Sequence, residues 1–310
     1  MRKILRHTDS VCPVCLKRIP AVHAGYGREV YLEKKCPEHG DFSAIIWRGL
    51  RDLEAWRGDV PPITDGENEN CPHACGLCPE HKQGTCCVLL EVTKRCNLRC
   101  PFCFAEGGAG DDLALETVRE HLRALVVPGK TLVQLSGGEP TVRDDLPQIV
   151  TAAKEAGCQY VQLNTNGIRL AEDEGYVRSL AEAGLSFVFM QFDGMDDGIY
   201  RALRGRDLLG VKRQAIDNCA RHNLGVTLVP TIVPQVNTQD IGNIIRFAVS
   251  QSPAVRGVHF QPVSYFGRIP ALPSDDRRFT LDELLEAIEE QAGDLVPEDS
   301  LRPSRCDHPL

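Results

Sequence analysis

From Cys87 to Val263 the sequence repeats one unit: a short apolar run rich in β-branched and aromatic residues, then a stretch with helical periodicity. The runs are CVLLEV, TLVQLS, YVQLNT, SFVFMQF, GVTLVPTIV and GVHFQPV. Strands and helices alternating at this spacing form βα units, whose crossovers make neighbouring strands parallel. Gly157, Gly184 and Gly225 each stand between a helical stretch and the next run, the place where a left-handed residue ends a helix. The span is too short for the eight units of a closed barrel, which takes about 250 residues. The expected fold class is α/β, a partial (β/α)6 TIM-like barrel with an N-terminal cysteine-rich metal-binding module of rubredoxin or zinc-ribbon type. The expected divisions are 1–60 for the metal ribbon, 61–86 for a cysteine-rich linker, 87–270 for the barrel and 271–310 for a C-terminal helix and tail.

The cysteines constrain the remainder. Of fourteen, all but Cys158, Cys219 and Cys306 lie between Cys12 and Cys103. With no secretion signal ahead of them, clustered cysteines read as metal ligands rather than disulfides. Cys12 and Cys15, followed by Cys36 and His39, have the spacing of a tetrahedral site for zinc, or for mononuclear iron in a rubredoxin-like variant. Cys71, Cys75 and Cys78 form a triplet with Cys86 as a fourth candidate, which would close an auxiliary iron-sulfur cluster or a zinc site. Cys96, Cys100 and Cys103 repeat the triplet spacing without an obvious fourth ligand, and an open coordination position is the mark of a reactive centre. Spacing alone does not separate the two triplets. Only the second follows a strand and precedes a glycine-rich turn. Cys158 and Cys219 are expected to be buried thiols.

In a parallel barrel the chemistry gathers where strands end. Beyond the second triplet, three further strand ends carry suitable residues. Gly137-Gly138-Glu139-Pro140 pairs glycines that permit close backbone approach with a carboxylate. Asn164-Thr165-Asn166-Gly167 and Gln191-Phe192-Asp193-Gly194 follow at the next two ends. A lone glycine turn of this kind is usually only a turn. In this order, however, the segments resemble the radical S-adenosylmethionine (SAM) superfamily, whose cluster motif CxxxCxΦC is matched with Phe102 at the aromatic position.

The resemblance spans Cys86 to Val263. It implies a 4Fe-4S cluster on Cys96, Cys100 and Cys103 and SAM bound at its free iron. It also implies that Gly137, Gly138, Glu139 and Pro140 contact the SAM amino group, and that Asn164, Asn166, Gln191 and Asp193 stand at ribose and carboxylate positions beside Phe102. The implied reaction cleaves SAM reductively to a 5'-deoxyadenosyl radical that removes hydrogen from a C–H bond. A one-electron reductant such as ferredoxin or flavodoxin would feed it. A narrower likeness, carried by CPVCLKRIPA, KKCPEHGDF, CPHACGLCPEHKQGTC and TKRCNLRCPFCFA, is to the subfamily containing the tetraether lipid synthase and chains named as pterin methyltransferases. It implies C–C bond formation or methylation on a lipid or pterin-like small molecule. Resembling chains continue past a CxHPxC-like segment, whereas this sequence ends at Arg305-Cys306-Asp307-His308-Pro309-Leu310. Two readings stay open: a truncated gene model with Cys306 as an auxiliary-cluster ligand, or a short form with Cys306 a free thiol.

A net charge of -8 and a pI near 5.6 argue against nucleic acid or an anionic membrane as partner. No apolar run approaches the ~18 residues of a membrane span, so a cytoplasmic protein is expected. The competing function is a non-catalytic iron-sulfur electron-transfer or metal-binding protein on the same scaffold. The intact GGEP segment weighs against it, since an electron carrier needs no SAM pocket. Tyr265 and Arg268, just past the last strand, are expected to serve in a turn and in packing.

Overall fold

The computed structural model describes residues 1–56, 87–271, 273–297 and 300–303. The expected auxiliary ligands Cys71, Cys75, Cys78 and Cys86, and also Cys306, lie outside these residues.

The N-terminal part is an antiparallel sheet of β1 (Arg2–Val11), β2 (Arg18–Tyr26), β3 (Glu29–Cys36) and β4 (Gly40–Arg48), paired in that order, followed by the short α1 (Leu53–Trp56). Neither β1, RKILRHTDSV, nor β2 is expected from the sequence, and β1 is the harder of the two to see. Its side chains are mostly exposed and charged, as on an edge strand that discourages further pairing, so it shows no apolar alternation.

The second part runs β5 (Cys87–Thr93), α2 (Leu115–Leu125), β6 (Leu132–Gly137), α3 (Leu146–Glu155), β7 (Tyr160–Thr165), α4 (Ile168–Glu172), α5 (Glu174–Glu182) and β8 (Phe187–Gln191). It continues through α6 (Asp197–Arg204), α7 (Leu209–Arg221), β9 (Gly225–Val229), β10 (Thr231–Ile232), α8 (Ile241–Ser250), β11 (Val255–Val258), β12 (Gln261–Pro262) and α9 (Leu281–Ala292). Strands β5, β6, β7, β8, β9 and β11 form one all-parallel sheet in chain order, and β5 does not pair with β11. This is the expected open barrel. Val133, Leu135, Val161, Leu163, Val188, Met190, Val226 and Leu228 are fully buried along the strands, where β-branched and long aliphatic side chains pack against the flanking helices.

Two local expectations are corrected. Gly157 and Gly184 do adopt left-handed backbone, at φ 90° and 96°, but after α7 that role falls to Asn223 at φ 57°. Asparagine tolerates this region better than other non-glycine residues, and it leaves Gly225 free to begin β9. The run GVTLVPTIV is also not one strand. Pro230 lacks the N–H that a ladder needs, and beyond it β10 pairs in parallel with β12 instead.

Helix α9 begins at the expected capping box, in which Thr280 and Glu283 satisfy each other's backbone donors. Leu284, Ile288 and Ala292 pack with Ile232, Ile241 and Ile245, Leu285 is buried, and Leu281 is exposed. The first turn of α9 anchors the N-terminal sheet: Arg48 N–H donates to Thr280 Oγ1 at 3.1 Å, and Arg48 Nη1 pairs with Glu283 at 3.0 Å. Asp282 is fully buried and accepts from Arg51 Nη1 at 2.8 Å and Arg51 N–H at 3.0 Å. Asp282→Ala would strand two donors of Arg51. It is expected to cost ~2 kcal/mol of stability and to expose the Arg48–Arg51 segment to protease, read by thermal unfolding and limited proteolysis.

Candidate cofactor and metal sites

In the N-terminal sheet, the turn after β1 carries Cys12 and Cys15, and the β3–β4 hairpin carries Cys36 and His39. The four ligand atoms all lie within 4.8 Å of one another. Cys15 Sγ to Cys36 Sγ is 3.9 Å, Cys12 Sγ to His39 Nδ1 is 3.7 Å and Cys36 Sγ to His39 Nδ1 is 3.4 Å. A tetrahedral zinc ion with Zn–S of ~2.3 Å places its sulfurs roughly 3.8 Å apart, so the donor set fits a single ion. Burial alone would raise the Cys12 thiol, but the backbone N–H groups of Cys15 and Val14 override it and bring the thiol down to about 6, favouring the thiolate that a metal requires.

The second centre is built on backbone. As β5 ends, Thr93 Oγ1 donates to Asp112 at 2.6 Å, and Arg95 grips the same carboxylate with Nε at 2.9 Å and Nη2 at 2.6 Å. The hydrogen bonds from Arg95 hold Asp112 down at about 2. The loop then folds back on itself, with Cys96 N–H donating to Gly108 O and Gly108 N–H to Lys94 O, both at 3.0 Å. This loop presents Cys96, Cys100 and Cys103, and Leu98 N–H donates to Cys96 Sγ at 3.4 Å. Beneath Cys96 and Cys100 lies an apolar floor of Leu98, Ile168, Tyr200 and Leu208.

These residues fit a cluster of several irons better than a single ion. Among the described residues, only the ribbon quartet draws its ligand atoms within 4.8 Å of one another, and a cube of four irons holds its thiolates farther apart than one ion does. Burial pushes the Cys96 thiol up to about 11, and nearby Glu139, Cys100 and Cys103 push in the same direction. A thiol raised in this way gives its thiolate only against a cationic centre. The Tyr200 hydroxyl in the floor is buried and finds no hydrogen-bond partner among the described residues.

The Gly137–Pro140 turn lies against the end of β5. Gly138 N–H donates to Thr93 O and Glu139 N–H to Arg95 O, both at 2.8 Å. A Cβ on Gly137 would stand 2.2 Å from Thr93 O, and one on Gly138 would stand 2.2 Å from Arg95 O. The glycines are therefore required by the approach of one strand's backbone to another's. Glu139 is also an organiser: its Oε1 accepts from Thr141 N–H, Thr141 Oγ1 and Thr165 Oγ1 and its Oε2 from Asn166 N–H, at 2.6–3.0 Å. Pro140 opens the short turn behind it.

The next two strand ends meet the same centre. Asn166 Nδ2 donates to Asn97 Oδ1 at 2.7 Å, tying β7 to the cysteine loop, and half-buried Asn164 accepts from Gln162 at 2.6 Å. Asp193 is fully buried and held bidentate by Arg204, at 2.7 and 2.8 Å, with Gln191 Nε2 against the same carboxylate. Burial disfavours the Arg204 charge, and Asp193 more than offsets it, so its pKa is raised. Phe102 joins Ile199, Leu203, Val233 and Val263 and sits edge-on to Tyr265. Hydrogen bonds thus link Glu139 to Asn166 and, through Lys212, Asn166 to Gln191 and Asp193, whereas Asn164 bonds within its own strand.

Sequence reasoning misses Lys212, Arg204 and the side-chain role of Asn97. Lys212 is fully buried on α7, and its Nζ donates to Asn166 O and to Gln191 Oε1. A lysine among apolar residues of an amphipathic helix was the available signal. Tyr265 and Arg268 do take packing roles: Tyr265 Oη donates to Arg277 O, and Arg268 bonds to the cysteine loop.

Comparisons with known proteins agree with this geometry. Residues 4–48 match the family model of the HMPTM N-terminal zinc ribbon domain, and residues 90–248 match that of the radical SAM superfamily. The chain is 39% identical over 306 residues to a 7,8-dihydro-6-hydroxymethylpterin dimethyltransferase of Methanocaldococcus jannaschii, covering 95% of this chain and 60% of that one. It is 30% identical over 207 residues to an Fe-coproporphyrin III synthase of Methanosarcina barkeri, covering 65% of this chain and 49% of that one. The chain therefore spans less than two thirds of the length of these relatives. In fold it is similar to SuiB of Streptococcus suis bound to its precursor peptide, with a TM-score of 0.57 at 16% identity over 69% of this chain and 47% of that one. It is similar likewise to anSMEcpe with bound AdoMet and peptide, with a TM-score of 0.54 at 15% identity over 70% of this chain and 62% of that one. An N-terminal zinc ribbon precedes the barrel, and the chain belongs to the radical SAM superfamily, with the 4Fe-4S cluster and SAM that this family implies.

Proposed function

We propose that this chain is a radical SAM enzyme that methylates, alkylates or forms a C–C bond on a small molecule. The observation that carries the reading is a cysteine loop with three thiols and no fourth, locked by backbone hydrogen bonds to the Gly137–Pro140 turn. Cys96, Cys100 and Cys103 would hold the 4Fe-4S cluster. Gly137, Gly138, Glu139 and Pro140 would form the wall facing the amino group of SAM, with Asn164, Asn166, Gln191, Asp193 and Phe102 around its ribose and carboxylate. When bound, the cluster and SAM supply one-electron reductive cleavage and the power to remove hydrogen from a C–H bond.

The chain's own residues orient and enclose. Glu139 fixes the turn after β6 to the end of β7, Asp193 and Arg204 fix the end of β8, and Lys212 holds Asn166 and Gln191 in register. The ribbon site is closed by four ligands and serves folding rather than chemistry. A pterin-like substrate is supported by the name of the Methanocaldococcus relative, and a lipid remains the second substrate class. An auxiliary iron-sulfur cluster on Cys71, Cys75, Cys78 and Cys86, a ferredoxin- or flavodoxin-type reductant and a cytoplasmic location complete the proposal. Among the described residues, no helix is long and apolar enough to cross a membrane.

Anaerobic reconstitution with iron and sulfide, followed by SAM and dithionite, is expected to release 5'-deoxyadenosine. Cys100→Ala should abolish this release while the ribbon metal stays bound. Full cluster content with no 5'-deoxyadenosine would instead make the chain an electron-transfer or metal-binding protein.

Lys212 gives a second prediction. Burial pushes its ammonium down to about 7, although Asp193 and Glu139 oppose the shift. Above that pH the folded lysine is neutral, while the unfolded one stays protonated up to ~10.4. The unfolded chain then binds more protons, so stability contributed at this site rises as pH goes from 7 towards 10. In urea unfolding at several pH values, Lys212→Met should remove that rise. It should also weaken SAM binding about tenfold, because Asn166 O and Gln191 Oε1 lose their donor.

A further inference from the structure

The parallel sheet is open between β5 and β11, yet the loops beyond these two edges are joined. The segment Tyr265–Arg268 crosses to the cysteine loop and makes a two-bond bridge there. Arg268 N–H donates to Cys103 O at 2.9 Å, and Cys103 N–H donates to Arg268 O at 3.0 Å. The crossing requires Gly267, at φ 66°, where a Cβ would stand 2.7 Å from both Cys103 O and Phe104 Cα.

The Arg268 side chain extends the hold. Nη1 donates to Cys100 O at 3.2 Å and Nη2 to Gly107 O at 2.6 Å, so one guanidinium grips both arms of the loop. Gly107 is in turn wedged into the site: a Cβ there would stand 2.9 Å from Gly138 Cα and 3.2 Å from Cys96 Cβ. Most arginines here answer a carboxylate, as Arg95 answers Asp112 and Arg204 answers Asp193. Among the described residues, no carboxylate lies within salt-bridge distance of Arg268, whose donors meet only neutral carbonyls. Among the described residues its charge therefore stands uncompensated beside the three cysteines.

We propose that Arg268 is a positioning residue for the cysteine loop and that its unpaired charge sets the potential at which the cluster accepts its electron. This rests on the cluster assignment to Cys96, Cys100 and Cys103 made above. Taking one electron from a reductant makes the cluster one unit more negative, and a fixed cation nearby stabilises that state over the oxidised one. Net charge and hydrogen bonding are among the terms that set iron-sulfur potentials. The carbonyl contacts do separate work, because they hold the Cys100 and Gly107 backbone in the shape that presents the thiols.

Charge and fork geometry can be tested apart in the full chain, reconstituted anaerobically and titrated with dithionite under EPR. Arg268→Gln removes the charge and is expected to lower the equilibrium constant for one-electron reduction about tenfold, a shift of ~59 mV to more negative potential. Arg268→Lys keeps the charge but cannot bridge both carbonyls. Its potential should stay close to wild type while its iron is lost faster to a chelator. Gly267→Ala, which displaces the strap with Arg268 intact, should shift the potential in the same direction as Arg268→Gln, and it serves as the test if the glutamine variant takes up no iron. A fully loaded Arg268→Gln or Gly267→Ala chain at the wild-type potential overturns the proposal, as does a lysine variant that shifts as far as the glutamine one. A wild-type chain that forms no redox-active cluster refutes the cluster assignment itself instead.

Discussion

The architecture of the barrel's upper end depends on one backbone contact, the approach of the Gly137–Gly138 turn to Thr93 and Arg95. Two N–H···O bonds of 2.8 Å join the end of β6 to the loop leaving β5, and neither position leaves room for a Cβ. Adjacent parallel strands are ordinarily joined only along their ladders, and loops beyond the ladder are free to part. Here the ladder is in effect continued past the strand ends, with a register shift between Glu91 and Thr93. The cysteine loop therefore starts from a fixed point. From the same turn, Glu139 reaches to Thr165 and Asn166 and extends the constraint to β7.

Burial of charge follows from this. A site meant to enclose an inorganic cluster and a charged cofactor has to orient polar groups away from water, where an unpaired one costs about 1–3 kcal/mol. The strand ends meet that demand by pairing. Glu139 is met by four donors, Asp193 by Arg204, Gln191 and Thr231 N–H, and Lys212 by two oxygens. Groups that look like ligands from sequence thus behave as a scaffold. Asn164, Gln191 and Phe102 are half-buried.

Much of this was legible in the sequence, for identifiable reasons. Strands β6, β7, β8 and β9 are buried or half-buried at nearly every position, so their apolar runs are continuous and stand out. Metal ligands are legible because coordination geometry restricts spacing, and Cys12, Cys15, Cys36 and His39 converge as that spacing requires. Features set by one neighbour were not legible. Nothing local says that Asn223 rather than Gly225 takes the left-handed turn, or that β1 exists, because an exposed edge strand carries no pattern of burial. Glu139 was expected at the site, but its engagement with Thr165 and Asn166 depends on β7 arriving beside β6. Lys212 and Arg268 lie far along the chain from the cysteines and become meaningful only once the loops have met.

The two metal-binding regions show how ligand number divides structural from chemical duty within one chain. The ribbon has four ligand atoms around one point, with Cys12, Ile19 and Cys36 forming a buried cluster beside them. A metal bound there would add folding energy to the apolar burial of the sheet. Its attachment to the barrel is correspondingly polar, running through Arg48 and Arg51 to the first turn of α9. The barrel reverses each of these terms. Its core is large and apolar, so the cysteine loop can leave one coordination position to a cofactor and rely on the Gly138, Asn166 and Arg268 contacts for its shape. A fourth cysteine in that loop would add stability where the barrel has enough, and would close the position on which the reaction depends.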